Sequence, residues 1–328
     1  MSLPVISVIV PARITTAEGR AQLDEQLTAL AGQDHTEPFE VIIADNGSRP
    51  GLETFTGEHP CREQLRMRYV AATRGSGASY ARNVGAEAAA GSVLLFCDHD
   101  DRVYPQWIRR LTEHLESGYD LASSAVEGDT LNTADPRTVA PIAAPEHFQP
   151  AGVRVPILVG CSMACRKDVY LELGGLDTGY PANEDIEFGW RAARHGYRVG
   201  FVQAALVAYR YRPDFRSGYR QGIARGRGLT RLHTDFPGNG LPVARFFPQL
   251  RWIAQVLLAR NLASEERGLL LGLAIGQLRG PRPARAARAA VQPLPGISGG
   301  RQANVPPARN RVGDIATTTG SHPDRNAP

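Results

Sequence analysis

The sequence predicts a three-layer α/β domain built on a mostly parallel central sheet, followed by helices. Three observations carry this. Short apolar runs rich in β-branched residues are continuous rather than alternating, the mark of strands buried on both faces. Helix-prone stretches separate them, so strand and helix alternate over the first ~100 residues. Two of the runs end in aspartates, at the strand ends where open α/β sheets bind ligands.

The elements follow in order. VISVIV (Val5 to Val10) is the first strand; it lacks a preceding basic region and lies between Pro4 and Pro11, so it reads as a strand and not as a secretion signal. Leu23, Leu27 and Leu30 stand at helical spacing within residues 19–31. FEVIIADNGS (Phe39 to Ser48) is a second buried strand ending in turn residues, and Leu65 to Val70 is a short third. Ser76 to Gly91 is alanine-rich and predicts a helix stopped at Gly91. SVLLFCD (Ser92 to Asp98) is the next strand, before a helix over 105–118 and a strand over 119–127. Residues 128–150, rich in Pro, Ala and Thr, form a long loop of the kind that often carries function. Pro156 to Asp177 reads as strand, short helix and Gly-Gly turn; Glu184 to Val202 reads as a helix stopped at Gly196, then a strand. Residues 213–235 and 245–280 are helical and arginine-bearing. The chain thus divides into a domain over 1–212, a basic helical extension over 213–280 and a Pro-, Ala-, Gly- and Arg-rich tail over 281–328 that is expected to be disordered.

Composition is that of a globular protein: 328 residues, 42% hydrophobic and 21% charged. The longest late apolar run, Gly268 to Gly276, is far short of the ~20 residues that cross a bilayer, so no transmembrane helix is expected. Cys61, Cys97, Cys161 and Cys165 lack zinc-site spacing and read as reduced thiols in a cytoplasmic protein. The net charge of +4 hides an asymmetry: residues 1–200 hold 27 acidic and 18 basic side chains, residues 201–328 hold 6 and 19. The acidic part suits a metal or hydroxyl groups, and the basic part suits phosphate, lipid headgroups or nucleic acid.

Three acidic segments stand out. In LLFCDHDD (Leu94 to Asp101), Asp98 and Asp100 fall on one side of an extended backbone. Like charges so placed repel unless a cation sits between them or one takes a proton; the natural cation for oxygen ligands is Mg²⁺ or Mn²⁺, bound with a phosphorylated ligand. One of the three aspartates is expected to cap the following helix, but capping needs only one. Asp45, at the end of its strand, suits either a turn or the imide N–H of a pyrimidine, and its residue type does not choose. Glu184 and Asp185 open a helix, where the helix dipole favours carboxylates; such a pair also supplies a general base for an attacking hydroxyl. The glycine-containing stretch Thr73 to Gly85 precedes a helix but matches neither the dinucleotide fingerprint nor the phosphate-binding loop.

Taken together and in this order, ISVIVPAR, EVIIADNGS, RGSGASYARNVGAEAAAGSVLLFCDHDD, GGLD and NEDIEFGWRAARHGYRV resemble the family 2 glycosyltransferases of the GT-A fold, over residues 4–212. The resemblance implies a nucleotide-diphospho-sugar transferase fold with a mixed, mostly parallel sheet. It implies inverting transfer of a hexosyl-type sugar from a UDP- or TDP-linked donor to an acceptor hydroxyl. Asp45 would bind the pyrimidine, and Pro11, Ala12 and Arg13 would meet the nucleotide. Arg74 and Arg82 would contact the diphosphate or the structure around it. Asp98 would contact the ribose and, with Asp100, a Mg²⁺ or Mn²⁺ ion. Asp185, with Glu184 beside it, would be the base, and Gly160 to Met163 would line the sugar side.

One segment departs from the pattern. Many relatives place a histidine after the strand that follows the acidic helix; Leu206 to Gly222 has none, so Tyr209, Arg210 or Arg212 would handle phosphate instead. Residues 246–279 mix Phe246, Phe247, Trp252, Val256, Leu257 and Leu258 with arginines. This suits a helix lying on an anionic membrane, at the inner face of the cell membrane, or equally a helix packed on the domain. The first alternative would bring a lipid-linked acceptor in cell-envelope polysaccharide or glycolipid synthesis; secondary-metabolite synthesis is the other setting expected. A nucleotidyltransferase of similar fold would carry a basic glycine-rich signature after the first strand, which VPARITTAEG matches poorly. A phosphatase with Asp-x-Asp after its first strand is excluded because Asp98 ends a later strand. A nucleic-acid binder would leave the acidic segments without a role, so no nucleic-acid partner is expected.

Overall fold

The computed structural model describes residues 5–132, 142–241, 246–259 and 262–280. The expected tail over 281–328 and the middle of the expected loop over 128–150 lie outside the described residues. Strands β1 (Ile6–Ala12), β2 (Phe39–Asp45) and β3 (Arg68–Ala71) alternate with helices α1 (Ala17–Ala31), α2 (Glu53–Glu58) and α3 (Ala78–Ala88). There follow β4 (Val93–Phe96), the short β5 (Arg102–Val103), α4 (Trp107–Glu116), β6 (Leu121–Glu127), β7 (Met163–Arg166) and α5 (Lys167–Glu172). The last elements are α6 (Glu184–Arg194), β8 (Val199–Ala208), α7 (Phe215–Asp235), α8 (Phe246–Leu258) and α9 (Ser264–Arg279).

The strands form an eight-stranded mixed sheet in the order β3-β2-β1-β4-β7-β6-β8-β5. β1 runs parallel to β2 and β4, β2 to β3, and β6 to β8, whereas β7 is antiparallel to β4 and β6 and β5 to β8. The continuous apolar runs have the burial they predict: every residue of β1 and β2 is buried. Period-two alternation sends Val8, Val10, Val41, Ile43 and Leu95 to one face, where they pack with Leu23 and Leu27 of α1 and Trp107 and Leu111 of α4. Ile9, Ile42, Leu94 and Phe96 face the other way, onto Ala86 of α3, Tyr170 of α5 and Phe188 of α6. These are the three layers. β4 is the strand at which parallel pairing gives way to antiparallel pairing, so the loop leaving it opens between the two halves of the sheet.

The helical stretch expected over 245–280 is two helices. Ala263 is extended, and Glu265 and Glu266 sit in the first turn of α9, where the helix dipole favours a fresh start. α7 and α9 pack through glycines repeated every fourth residue, Gly218, Gly222 and Gly226 on one and Gly268, Gly272 and Gly276 on the other. A Cβ added to Gly222 would lie 2.7 Å from the Leu273 nitrogen and closer still to the Leu269 oxygen, so the backbones approach as only glycine allows. Among the described residues, no helix is long and apolar enough to cross a membrane.

Candidate active site

The loop after β4 is held from two sides. Gln26, fully buried on α1, donates to the Asp98 carbonyl at 3.0 Å and accepts from the Val103 N–H at 3.0 Å. From the segment after β8, the Arg210 N–H donates to Asp101 Oδ1 at 2.8 Å, and its guanidinium donates to the Asp100 carbonyl at 2.8 Å and to Glu25 at 2.8 Å. The acidic side chains each have a distinct neighbour. Asp98 pairs with Arg82 at 2.5 Å and Asp100 with Arg212 at 3.0 Å. None of the three aspartates caps the following helix as expected: α4 begins after Gln106 with no side-chain cap, and Asp101 is buried. Burial, with Asp98 and Asp100 alongside, pushes the Asp101 carboxyl well above its usual range. Asp101 Oδ2 has no hydrogen-bond partner among the described residues. One ligand atom each from Asp98, Asp101 and Cys161 lies within 4.8 Å of the others. The two carboxylates, with the Cys161 thiol beside Asp101, form a group that fits a hard divalent cation through its oxygens, while Asp100 stays paired with Arg212.

The second acidic pair faces the first. Asn183 adopts the left-handed conformation (φ 64°) and turns the chain into α6, placing Glu184 and Asp185 in its first turn. Asp185 accepts from the Gly160 N–H at 2.7 Å and from the Ile186 N–H at 2.8 Å. Its carboxyl is pushed up to about 6, chiefly by burial and then by Glu184; the two N–H bonds and Arg82 oppose the rise. Arg82 joins the clusters: besides Asp98 it meets Glu184 at 3.2 Å. Burial works against its charge, yet Asp98, Glu184 and Asp185 outweigh that and hold its pKa above the ordinary arginine value.

Asp98, Arg82, Glu184 and Asp185 line one crevice of about 570 Å³, with Phe148 and Leu269 on its apolar walls. Gly160 and Cys161 of the expected sugar side and Tyr209 and Arg212 of the expected phosphate contacts line it too, whereas Asp100, Asp45, Pro11, Ala12, Arg13 and Arg74 do not. Asp45 is buried and serves the turn, accepting from Ser48 N–H at 2.8 Å, Leu52 N–H at 3.3 Å and the Tyr69 hydroxyl at 3.4 Å. Pro11 and Ala12 are buried at the end of β1, where Ala12 is in register with Asp45. Arg13 and Arg74 are exposed. Of the two roles expected for Arg82, a diphosphate contact or a structural one, the structure shows it engaged by carboxylates.

The sequence model of the family described as Glycosyl transferase family 2 matches residues 7–174, and that of Glycosyl transferase family group 2 matches 93–291. The chain belongs to glycosyl transferase family 2. It is 28% identical over 307 residues to a pre-mycofactocin glycosyltransferase of Mycobacterium tuberculosis, covering 87% of this chain and 58% of that one. It is 29% identical over 190 residues to an uncharacterized glycosyltransferase of Haemophilus influenzae, covering 56% of this chain and 60% of that one. The chain thus spans somewhat under two thirds of either relative. Among solved structures, the mannosyltransferase PcManGT from Pyrobaculum calidifontis, in complex with GDP-Man and Mn²⁺, superposes with a TM-score of 0.55 at 20% identity, over 85% of this chain and 75% of that one. S. aureus TarS 1-349 in complex with UDP gives 0.50 at 16% identity, over 83% and 90%. These two likenesses speak for the fold alone.

In this member of family 2 several residues outside the acidic motifs hold the loops around the site. Gln26 is a polar residue on the Leu23–Leu27–Leu30 face of its helix, and that misplacement was its signal. Asn46 ties the β2 loop to the glycine-containing loop, donating to the Ala72 and Gly75 carbonyls and accepting from Gly77 N–H. Tyr209, named for phosphate, accepts from Gln221 at 3.1 Å and from Arg225 at 3.3 Å, and both of those partners come from α7.

Proposed function

We propose that this chain transfers a hexosyl group from a nucleoside-diphosphate sugar, UDP- or TDP-linked, to an acceptor hydroxyl with inversion. The observation that carries the reading is Asp185: a carboxylate on the crevice wall, fixed by two N–H groups and raised towards neutrality, across Arg82 from Asp98. A base at about 6 is ionised at neutral pH yet more basic than an ordinary aspartate, which suits deprotonation of a hydroxyl as it attacks. Glu184 keeps Arg82 beside it. Asp98 and Asp100 would hold Mg²⁺ or Mn²⁺, with Asp101 available; the ion, when bound, offsets charge on the diphosphate. Asp45 with Pro11, Ala12 and Arg13 would form the nucleotide side, the pyrimidine using lone pairs that the turn leaves open, and Arg74 would reach in from its loop. A neighbour of the same fold solved with GDP-Man and Mn²⁺ supports a donor of this kind.

Calorimetric titration of UDP-, TDP- and GDP-sugars, with and without Mn²⁺, tests this on wild type and Asp98→Ala. One donor binding in a metal-dependent way, and not to the variant, is expected. No binding of any donor to folded protein refutes the reading. A nucleotidyltransferase would instead release pyrophosphate, and a basic surface-binding protein would turn over neither.

A second reading concerns place. Phe247, Leu250, Leu257 and Leu258 of α8 are 80%, 44%, 57% and 79% exposed and fall along one side of the helix, while Val256 is buried on the other. With the arginine-rich composition of residues 201–328, this favours docking on an anionic bilayer at the cytoplasmic face and a lipid-linked acceptor. Co-sedimentation with phosphatidylglycerol vesicles, lost on Phe247→Glu with Leu258→Glu, tests it; no co-sedimentation of wild type refutes it.

A further inference from the structure

Three arginines line the crevice: Arg82, Arg212 and Arg225. Arg82 is matched by Asp98 and Glu184, and Arg212 by Asp100. Arg225 has no carboxylate partner among the described residues; its contact there is with the neutral hydroxyl of Tyr209. A half-buried guanidinium without a counter-charge is costly, and a crevice wall that carries one is complete only when a ligand supplies the anion.

Its position says which part of a ligand that is. Backbone contacts fix Arg225 on α7: Gly222 and Gly226 pack against α9, and the Asn183 side chain donates to the Arg225 carbonyl at 3.0 Å. The guanidinium meets the Tyr209 hydroxyl, which Arg212 and Asp101 of the acidic loop also neighbour. From Tyr209 the chain runs directly into Arg210 and Arg212, which grip the loop of Asp98 to Asp101. Of the expected phosphate contacts Tyr209, Arg210 and Arg212, the two arginines are taken up by that loop and by Glu25, and Tyr209 is neutral. Arg225, beside Tyr209, is the crevice arginine without a carboxylate partner among the described residues.

We propose that Arg225 binds the sugar-linked phosphate of the donor diphosphate and stabilises the charge that gathers there; this rests on the donor reading above. In the step, the acceptor oxygen forms a bond to the anomeric carbon while the bond from that carbon to the phosphate oxygen breaks. The electron pair stays on the phosphate oxygen, facing Arg225, and the acceptor proton passes to Asp185.

The test is calorimetry of UDP against UMP, and of TDP against TMP, on wild type, Arg225→Gln and Arg225→Lys. Wild type is expected to prefer one diphosphate over its monophosphate. Arg225→Gln should lose about 10- to 100-fold in diphosphate affinity, as for a hydrogen bond to a charged group, and leave the monophosphate within about twofold. Arg225→Lys, which keeps the charge and guards against a glutamine variant that fails to fold, should recover part of the loss. Equal binding of the diphosphate by wild type and Arg225→Gln overturns the proposal, as does an equal loss of both nucleotides. If wild type binds no nucleotide at all, the donor reading falls and takes this one with it.

Discussion

Replacing Asp185 by Asn separates the carboxylate's chemistry from its cost to the fold. A carboxyl held at about 6 against an ordinary 3.8 makes the ionised form about 3 kcal/mol less favourable in the folded chain than in the unfolded one. The folded value is the higher of the two, so the folded chain binds the extra proton. The cost is therefore complete above pH 6, shrinks as pH falls, and is gone below pH 3.8. At pH ~7.5 it stands near 3 kcal/mol and at pH ~5 about half remains. Asparagine carries no charge and escapes this cost, but it has one acceptor for the two N–H groups of Gly160 and Ile186, a loss of about 1 kcal/mol at either pH. The variant should thus be about 2 kcal/mol more stable than wild type at pH ~7.5, an advantage that falls by about 1 kcal/mol at pH ~5. Urea unfolding at the two pH values reads the difference, from which the pH-independent hydrogen-bond loss cancels. The same variant should lose about 10²- to 10⁴-fold in kcat, and wild-type kcat should fall on the acid side with a midpoint near 6. A stability difference that does not change between the two pH values would refute the claim that the fold holds this carboxyl up. Undiminished turnover would remove Asp185 as the base.

Gly222→Ala should destabilise the protein by about 2 kcal/mol, because overpacking between two backbones exceeds the gain in helix propensity; thermal unfolding should show a Tm lower by about 4–8 °C. Gln26→Leu leaves the Asp98 carbonyl and the Val103 N–H unpartnered in the interior and should cost about 2–4 kcal/mol in denaturant unfolding. Arg212→Ala releases Asp100 and should tighten Mn²⁺ binding about fivefold in an electron paramagnetic resonance titration. Unchanged or weaker binding would argue against Asp100 as a ligand.

Legibility followed the range of the interactions. β1, β2 and β4 were readable because burial on both faces leaves a continuous apolar run, α1 because Leu23, Leu27 and Leu30 repeat at helical spacing, and α3 because its stretch is alanine-rich. The antiparallel insertion of β7 between β4 and β6 was not, since its four residues pair with partners some 40 and 70 positions away. β5, two residues long, and α2, six long, offer too little periodicity to show. In the site, Asp98 and Asp100 announced themselves as charge placed where a strand ends, and Glu184 and Asp185 as a carboxylate pair opening a helix. Arg82 was visible as a residue but its role was not: it bridges carboxylates 16 and 102 positions distant. For Asp45, where residue type left a turn and a base contact level, the structure shows the turn. The fourfold glycine spacing in α7 and α9 was present in the sequence throughout, and it is the local signal that would have pointed to Arg225.

The charges of the crevice suggest why one arginine is left without a partner. In the donor the diphosphate carries about two negative charges; as the sugar leaves, a third develops on the departing oxygen. A cation already matched by a carboxylate, as Arg82 and Arg212 are, has little to offer that third charge, because stabilising it means giving up a partner. Arg225 gives up only a hydrogen bond to a neutral hydroxyl. Its interaction is therefore stronger after the charge has formed than before, which is the condition for lowering a barrier rather than merely tightening binding. The fold supports this by fixing the backbone of α7 against α9, so that only the side chain needs to adjust when the charge appears. On this argument Arg225→Gln should lower kcat by a larger factor than it weakens the intact donor, and the deficit in binding should be greater for the diphosphate product than for the sugar that brought it.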